Sequence, residues 1–80
     1  MIPKILRLPD VLSATGLSRS TIYSYIQQGI WIKPIHLGPR TAGWPANEVT
    51  ALLLARIAGQ SDKEISLLVK KLEGERKNAS

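Results

Sequence analysis

The sequence has no cysteine, no phenylalanine, a single histidine, and only two tryptophans and two tyrosines among its 80 residues. Without cysteine there is no disulfide, no thiolate nucleophile and no thiolate zinc site, which fits a reducing cytoplasm. One histidine, and no carboxylate pair placed to share a site, gives acid–base or nucleophilic chemistry nothing to work with. Ser18 and Ser20 have no adjacent base. The expectation is a non-enzyme with no catalytic residue, no metal and no cofactor. Long apolar runs are missing too: the longest, Ala51–Ala55, falls far short of the ~20 residues that span a bilayer. The opening MIPKILRLPD carries Lys4 and Arg7 but no sustained apolar stretch and no small-residue cleavage site, unlike a signal peptide. No membrane role is expected, and the expected location is cytoplasmic.

Acidic residues are scarce as well. Six Asp and Glu face eleven Lys and Arg, for a net charge of +5 and a pI near 10.0. The excess is uneven. Residues 1–60 hold six basic against two acidic side chains, whereas residues 61–80 hold five against four. An acidic partner is implied, met by the first three quarters of the chain. The 44% apolar fraction is that of a folded chain, and the length allows one small domain over residues 1–80, its core built from Leu, Ile, Val, Trp and Tyr.

The stretch Thr15–Gly29, TGLSRSTIYSYIQQG, is the strongest signal. Pro9 and Asp10 suit the first turn of a helix that runs to about Thr15, burying Leu8, Val11, Leu12 and Ala14. Gly16 supplies the left-handed residue that closes it. Leu17 is an apolar plug, and Ser18 is placed to cap a second helix over Arg19–Gln28, stopped by Gly29. Ile22, Tyr25 and Ile26 share one side of that helix; Arg19, Ser20, Tyr23, Ser24 and Gln27 share the other. Two helices joined in this way form a helix-turn-helix, which delivers its second helix to the DNA major groove.

Pro34 rules out helix continuation, and Ile35–Leu37 alternates as a short strand. The turn Gly38–Gly43 carries Arg40 near its tip, and Thr41–Trp44 returns as a second strand. The expected hairpin is a two-stranded wing. A third helix follows from Pro45 to about Ala58, with Val49, Leu52, Leu53, Arg56 and Ile57 in its stripe and Gly59 as its stop. Ser61 and Glu64 form a capping box for a fourth helix, whose stripe is Ile65, Leu68, Val69 and Leu72. The predicted organisation is a winged helix-turn-helix core over 6–58, an amphipathic helix over 61–74 and a frayed tail over 75–80, mainly α with about four helices.

LSRSTIYSYIQQG, followed by KPIHLGPRTAGW and NEV, resembles the AlpA family of small phage and genomic-island regulators. That family is similar in turn to a broader class with a MerR-like winged helix, shared with several excisionases. The likeness covers roughly residues 6–58. It implies a DNA-binding regulator of a mobile element, one that activates an integrase gene or aids excisive recombination as a directionality factor. Three positions depart from the family's frequent residues: Ser24 replaces an arginine, Ile32 a proline and Leu52 a tryptophan.

Each candidate contact has a plainer reading beside it. Arg19 at the first helical position opposes the helix dipole, so a phosphate or guanine contact explains it better than a structural role. Ser18 is read as the cap. Ser20 and Thr21 either solvate a helix start or donate to phosphates. Tyr23 is read as a phenol reaching a phosphate and Tyr25 as core, while Gln27 is solvated or touches the DNA backbone. Arg40, in a glycine-flanked loop, suits a minor groove. Lys33 and Thr41 are read as phosphate contacts of ordinary specificity, and His36 points outward from the wing. Trp44 is read as core. Trp31 is either core or part of an exposed surface for a partner. The fourth helix packs intramolecularly, or serves side-by-side self-association or contact with a phage-type integrase. The competing reading is an adaptor or anti-repressor that uses Trp31 and the C-terminal helix.

Overall fold

A computed structural model describes residues 2–78. Strand β1 (Ile5–Leu6) leads into helices α1 (Leu8–Thr15) and α2 (Arg19–Gln28). Strands β2 (Ile35–Gly38) and β3 (Thr41–Pro45) follow, then helices α3 (Ala46–Ile57) and α4 (Asp62–Glu75) and a 3₁₀ turn over Arg76–Asn78. The architecture is a mainly α winged helix-turn-helix.

Local chemistry accounts for most element ends. The Asp10 carboxylate accepts the Arg7 N–H at 3.4 Å beside Pro9 in the first turn of α1. Gly16 ends α1 at φ 72°, donating its N–H to the Leu12 carbonyl at 2.8 Å. Gly29 ends α2 at φ 79°, and the Ile30 N–H reaches back to the Tyr25 carbonyl at 3.0 Å, a Schellman closure. The Ser61–Glu64 capping box forms in both directions: the Glu64 N–H donates to Ser61 Oγ at 3.2 Å, and the Ser61 N–H to Glu64 Oε1 at 3.0 Å.

The expected two-stranded hairpin forms from β2 and β3, and a third strand, β1, extends it. The sheet has three antiparallel strands in the order β1-β3-β2, with Leu6 opposite Trp44 and Ile35 opposite Gly43. A two-residue strand such as β1 carries no alternation to read; pairing with β3 creates it. Gly43 permits the approach, since a Cβ there would overlap the Ile5 side chain and meet the Leu6 carbonyl oxygen at 2.8 Å. Beyond the strand, the Lys4 carbonyl accepts the Ala46 N–H at 2.8 Å, fastening the N-terminal segment to the start of α3.

The core joins every helix to the segment after α2: Val11, Ile22, Ile30, Ile32, Trp44, Leu52, Ile65 and Val69 are buried together. Trp44 donates its indole N–H to the Ile32 carbonyl at 2.9 Å, so the polar end of the largest buried side chain is satisfied. Trp31 is 4% exposed, so of its two readings the core one holds. Two helical stripes also differ. Ala14 is exposed, and Ile57 is 80% exposed because, five positions after the buried Leu52, it falls about 140° round α3 from the core-facing side.

The frayed tail is corrected over its described part. Gly74 and Glu75 lie within α4, and Arg76 is anchored by Glu48 across 28 residues. Residues 79–80 of that expectation lie outside the described residues.

Candidate nucleic-acid interface

Ser18 builds the start of α2. Its Oγ accepts the Thr21 N–H at 3.2 Å and lies 2.8 Å from Thr21 Oγ1 and 3.3 Å from Ser20 Oγ. The three hydroxyls therefore form one cluster at the helix N-terminus, with the Ser18 oxygen engaged as the cap. Ser20 stands exposed and Thr21 half-buried.

Beyond the cap, α2 is two-sided. Ile22 is fully buried, and Tyr25 and Ile26 pack against the core. Arg19, Ser20, Tyr23, Ser24 and Gln27 are all exposed. The Arg19 guanidinium lies over the Tyr23 ring at 5.9 Å from its centroid, a cation–π arrangement that places charge and phenol side by side. Ser24 Oγ accepts from Gln28 Nε2 at 3.0 Å. That bond takes up the short side chain standing where the resemblance leads one to expect an arginine.

The hairpin places the second group. Gly38 opposes Thr41, leaving Pro39 and Arg40 as its two-residue tip. Register slips between His36 and Gly38, so Leu37 occupies a bulge. Arg40, His36 and Lys33 are exposed, and Thr41 is half-buried. Among the described residues no group of three or more His, Cys, Asp or Glu gathers to hold a metal ion.

The described residues form two ion pairs, Arg56–Asp62 and Arg76–Glu48. Neither involves Arg19, Lys33 or Arg40, whose side chains form no ion pair among the described residues. No hydrogen bond or ion pair among the described residues links the α2 group to the hairpin group. They are two patches held by different local structure, one by the capped helix and the other by the hairpin. What can gather on such patches is a polyanion with regularly spaced charges.

Comparison with known proteins agrees with the architecture. A family model described as prophage CP4-57 regulatory protein (AlpA) matches residues 4–56. The chain belongs to the AlpA family. A relative in Enterobacteria phage P4, described as uncharacterized protein ORF88, is 44% identical over 57 residues, covering 71% of this chain. The chain spans 65% of that relative's length. No solved structure matches. The AlpA match runs from the residue before β1 to near the end of α3, so it includes both patches and leaves α4 outside. AlpA proteins form a regulatory family rather than an enzymatic one, and no helix among the described residues is long and apolar enough to cross a membrane.

Sequence reasoning missed two features around these patches. The Arg56 guanidinium lies 5.7 Å from the Tyr25 ring centroid, behind the helix-turn-helix. Lys33, singled out for its side chain, is also gripped through its backbone by Glu73 and Arg76. The second contact spans about half the chain, and no local pattern encodes it.

Proposed function

We propose that this protein is a sequence-specific double-stranded DNA-binding regulator of a prophage or genomic island. Helix α2 enters the major groove with Arg19, Ser20, Thr21, Tyr23, Ser24 and Gln27 facing the DNA, and Ser18 fixes its start. The β2–β3 hairpin acts as the wing: Arg40 reaches the minor groove, while Lys33, His36 and Thr41 flank the phosphates. The observation that carries this reading is the pairing of a capped, one-sided polar helix bearing Arg19 with a hairpin tip bearing Arg40, neither in an ion pair among the described residues, in a chain of a prophage regulatory family.

It acts in the bacterial cytoplasm, as activator of an integrase gene, as excisionase, or as both. A single short domain reads little sequence, so several copies bind side by side, and a phage-type integrase is a partner in the excisive role. A footprint on tandem direct repeats at an attachment region marks the excisionase; one overlapping a promoter marks the activator.

Phosphate contacts supply most of the affinity. Neutralising ~4 phosphates gives a slope of log K against log salt near −3.6. Fluorescence anisotropy on a labelled duplex across a salt series measures it, and a flat response refutes DNA binding.

A further inference from the structure

Lys33 lies in the link between α2 and β2, outside any helix or strand. Pro34 follows it, which restricts Lys33 to extended backbone and denies the link a donor at the next position. Its own N–H and C=O have no ladder to join, so their partners must come from elsewhere. Both come from the C-terminal segment. The Glu73 carboxylate accepts the Lys33 N–H at 2.8 Å, and Arg76 Nη2 donates to the Lys33 carbonyl at 2.7 Å.

The same guanidinium is itself held. Arg76 Nε donates to Glu48 Oε1 and Oε2 at 3.1 and 3.0 Å, and Nη2 donates to Oε1 at 2.6 Å. Glu48 is 4% exposed in the first turn of α3. A carboxylate acceptor on one side and a clamped guanidinium donor on the other are both charge-assisted, the stronger class of hydrogen bond. Together they stop the Lys33 residue from rotating about its own backbone, while the Lys33 side chain remains exposed. Glu73 and Arg76 also lie beyond the residues that match the family.

We propose that Glu73 and Arg76 are positioning residues for DNA binding, which hold the backbone at Lys33 so that its ammonium is presented to a phosphate at the root of the wing. This inference rests on the DNA-binding reading above. It makes α4 part of the binding unit rather than an appendage to it.

The sign of one substitution separates this role from simple electrostatics. Glu73→Ala deletes a negative charge, which by Coulomb attraction alone strengthens binding to a polyanion. Loss of the Lys33 clamp instead weakens it, by about threefold to tenfold, and lowers the salt slope by about 0.9, one phosphate contact. Glu73→Gln deletes the same charge but keeps an acceptor for the Lys33 N–H, so it binds at least as tightly as the unmodified protein. Lys33→Ala placed on Glu73→Ala costs nothing further, because the contact is already lost; the cycle is non-additive.

The probe is a short fluorescent duplex selected by the unmodified protein from a randomised pool, read by anisotropy across a salt series. Thermal denaturation confirms that each variant is folded, and Glu73→Ala retains the Arg76–Glu48 pair. Weakening by Glu73→Ala, recovery in Glu73→Gln and a non-additive cycle establish the positioning role. Undiminished binding by Glu73→Ala, or an additive cycle, overturns it while leaving DNA binding intact. If the unmodified protein selects no duplex and shows no salt-dependent binding, the DNA-binding reading falls and this inference with it.

Discussion

Gly43 shows how much a single residue decides. It sits in the central strand, with the Ile5 side chain and the Leu6 carbonyl where its own side chain would be. Gly43→Ala therefore has to push β1 off the sheet, and overpacking of this kind costs about 1–3 kcal/mol. Urea denaturation reads it as a lower midpoint with an unchanged slope. Arg76 is a second such residue. Arg76→Met leaves the buried Glu48 carboxylate without its partner, a class of change that costs about 3–5 kcal/mol, and the same denaturation assay measures it. Arg76→Met combined with Glu48→Leu removes both charges and recovers most of that loss; a double variant no more stable than Arg76→Met argues that the ion pair matters for more than mutual neutralisation. Ser18 works at smaller scale, with the Thr21 amide on its oxygen. Ser18→Ala costs about 1 kcal/mol as a lost N-cap, visible as a drop in Tm.

At the scale of elements, the helix-turn-helix and the hairpin divide the binding between them. Arg19→Ala removes a charge beside the Tyr23 ring on the exposed side of α2, whereas Arg40→Ala removes one at the hairpin tip. With no bond joining the two patches, the effects are expected to add: each change lowers the salt slope by about 0.9, and the double variant lowers it by the sum. Anisotropy titrations of the three variants test this. An interaction module of another kind would keep its activity through both substitutions. The elements themselves were largely legible. Gly16, Ser18, Gly29 and the Ser61–Glu64 box mark ends that the backbone adopts, because capping acts over three or four residues. Ile57 and Ala14 are apolar residues counted into a stripe but lie exposed, since an apolar side chain near the edge of a stripe can still face solvent.

For the molecule as a whole, α4 supplies core as well as grip. Ile65 and Val69 are buried among residues of the preceding elements, in a chain too small to lose a helix face cheaply. Ile65→Ala is expected to cost about 2–5 kcal/mol, and the loss should appear in DNA binding only as a reduced folded fraction, with the salt slope unchanged. That pattern distinguishes a core residue from Glu73, whose loss changes the slope itself.

Local sequence sets both ends of α2, the close of α1 at Gly16 and the start of α4, the order of helix-turn-helix, hairpin and third helix, the basic excess in the first 60 residues and the family resemblance. All of these are written in neighbours a few positions apart, or in composition. Long-range packing alone brings β1 to the wing, buries Trp31, and carries Arg76 to Glu48 and Lys33 rather than letting it fray. Those outcomes depend on which surfaces meet after the chain has closed on itself. Contacts separated by 28 to 43 residues leave no period and no cap to be read.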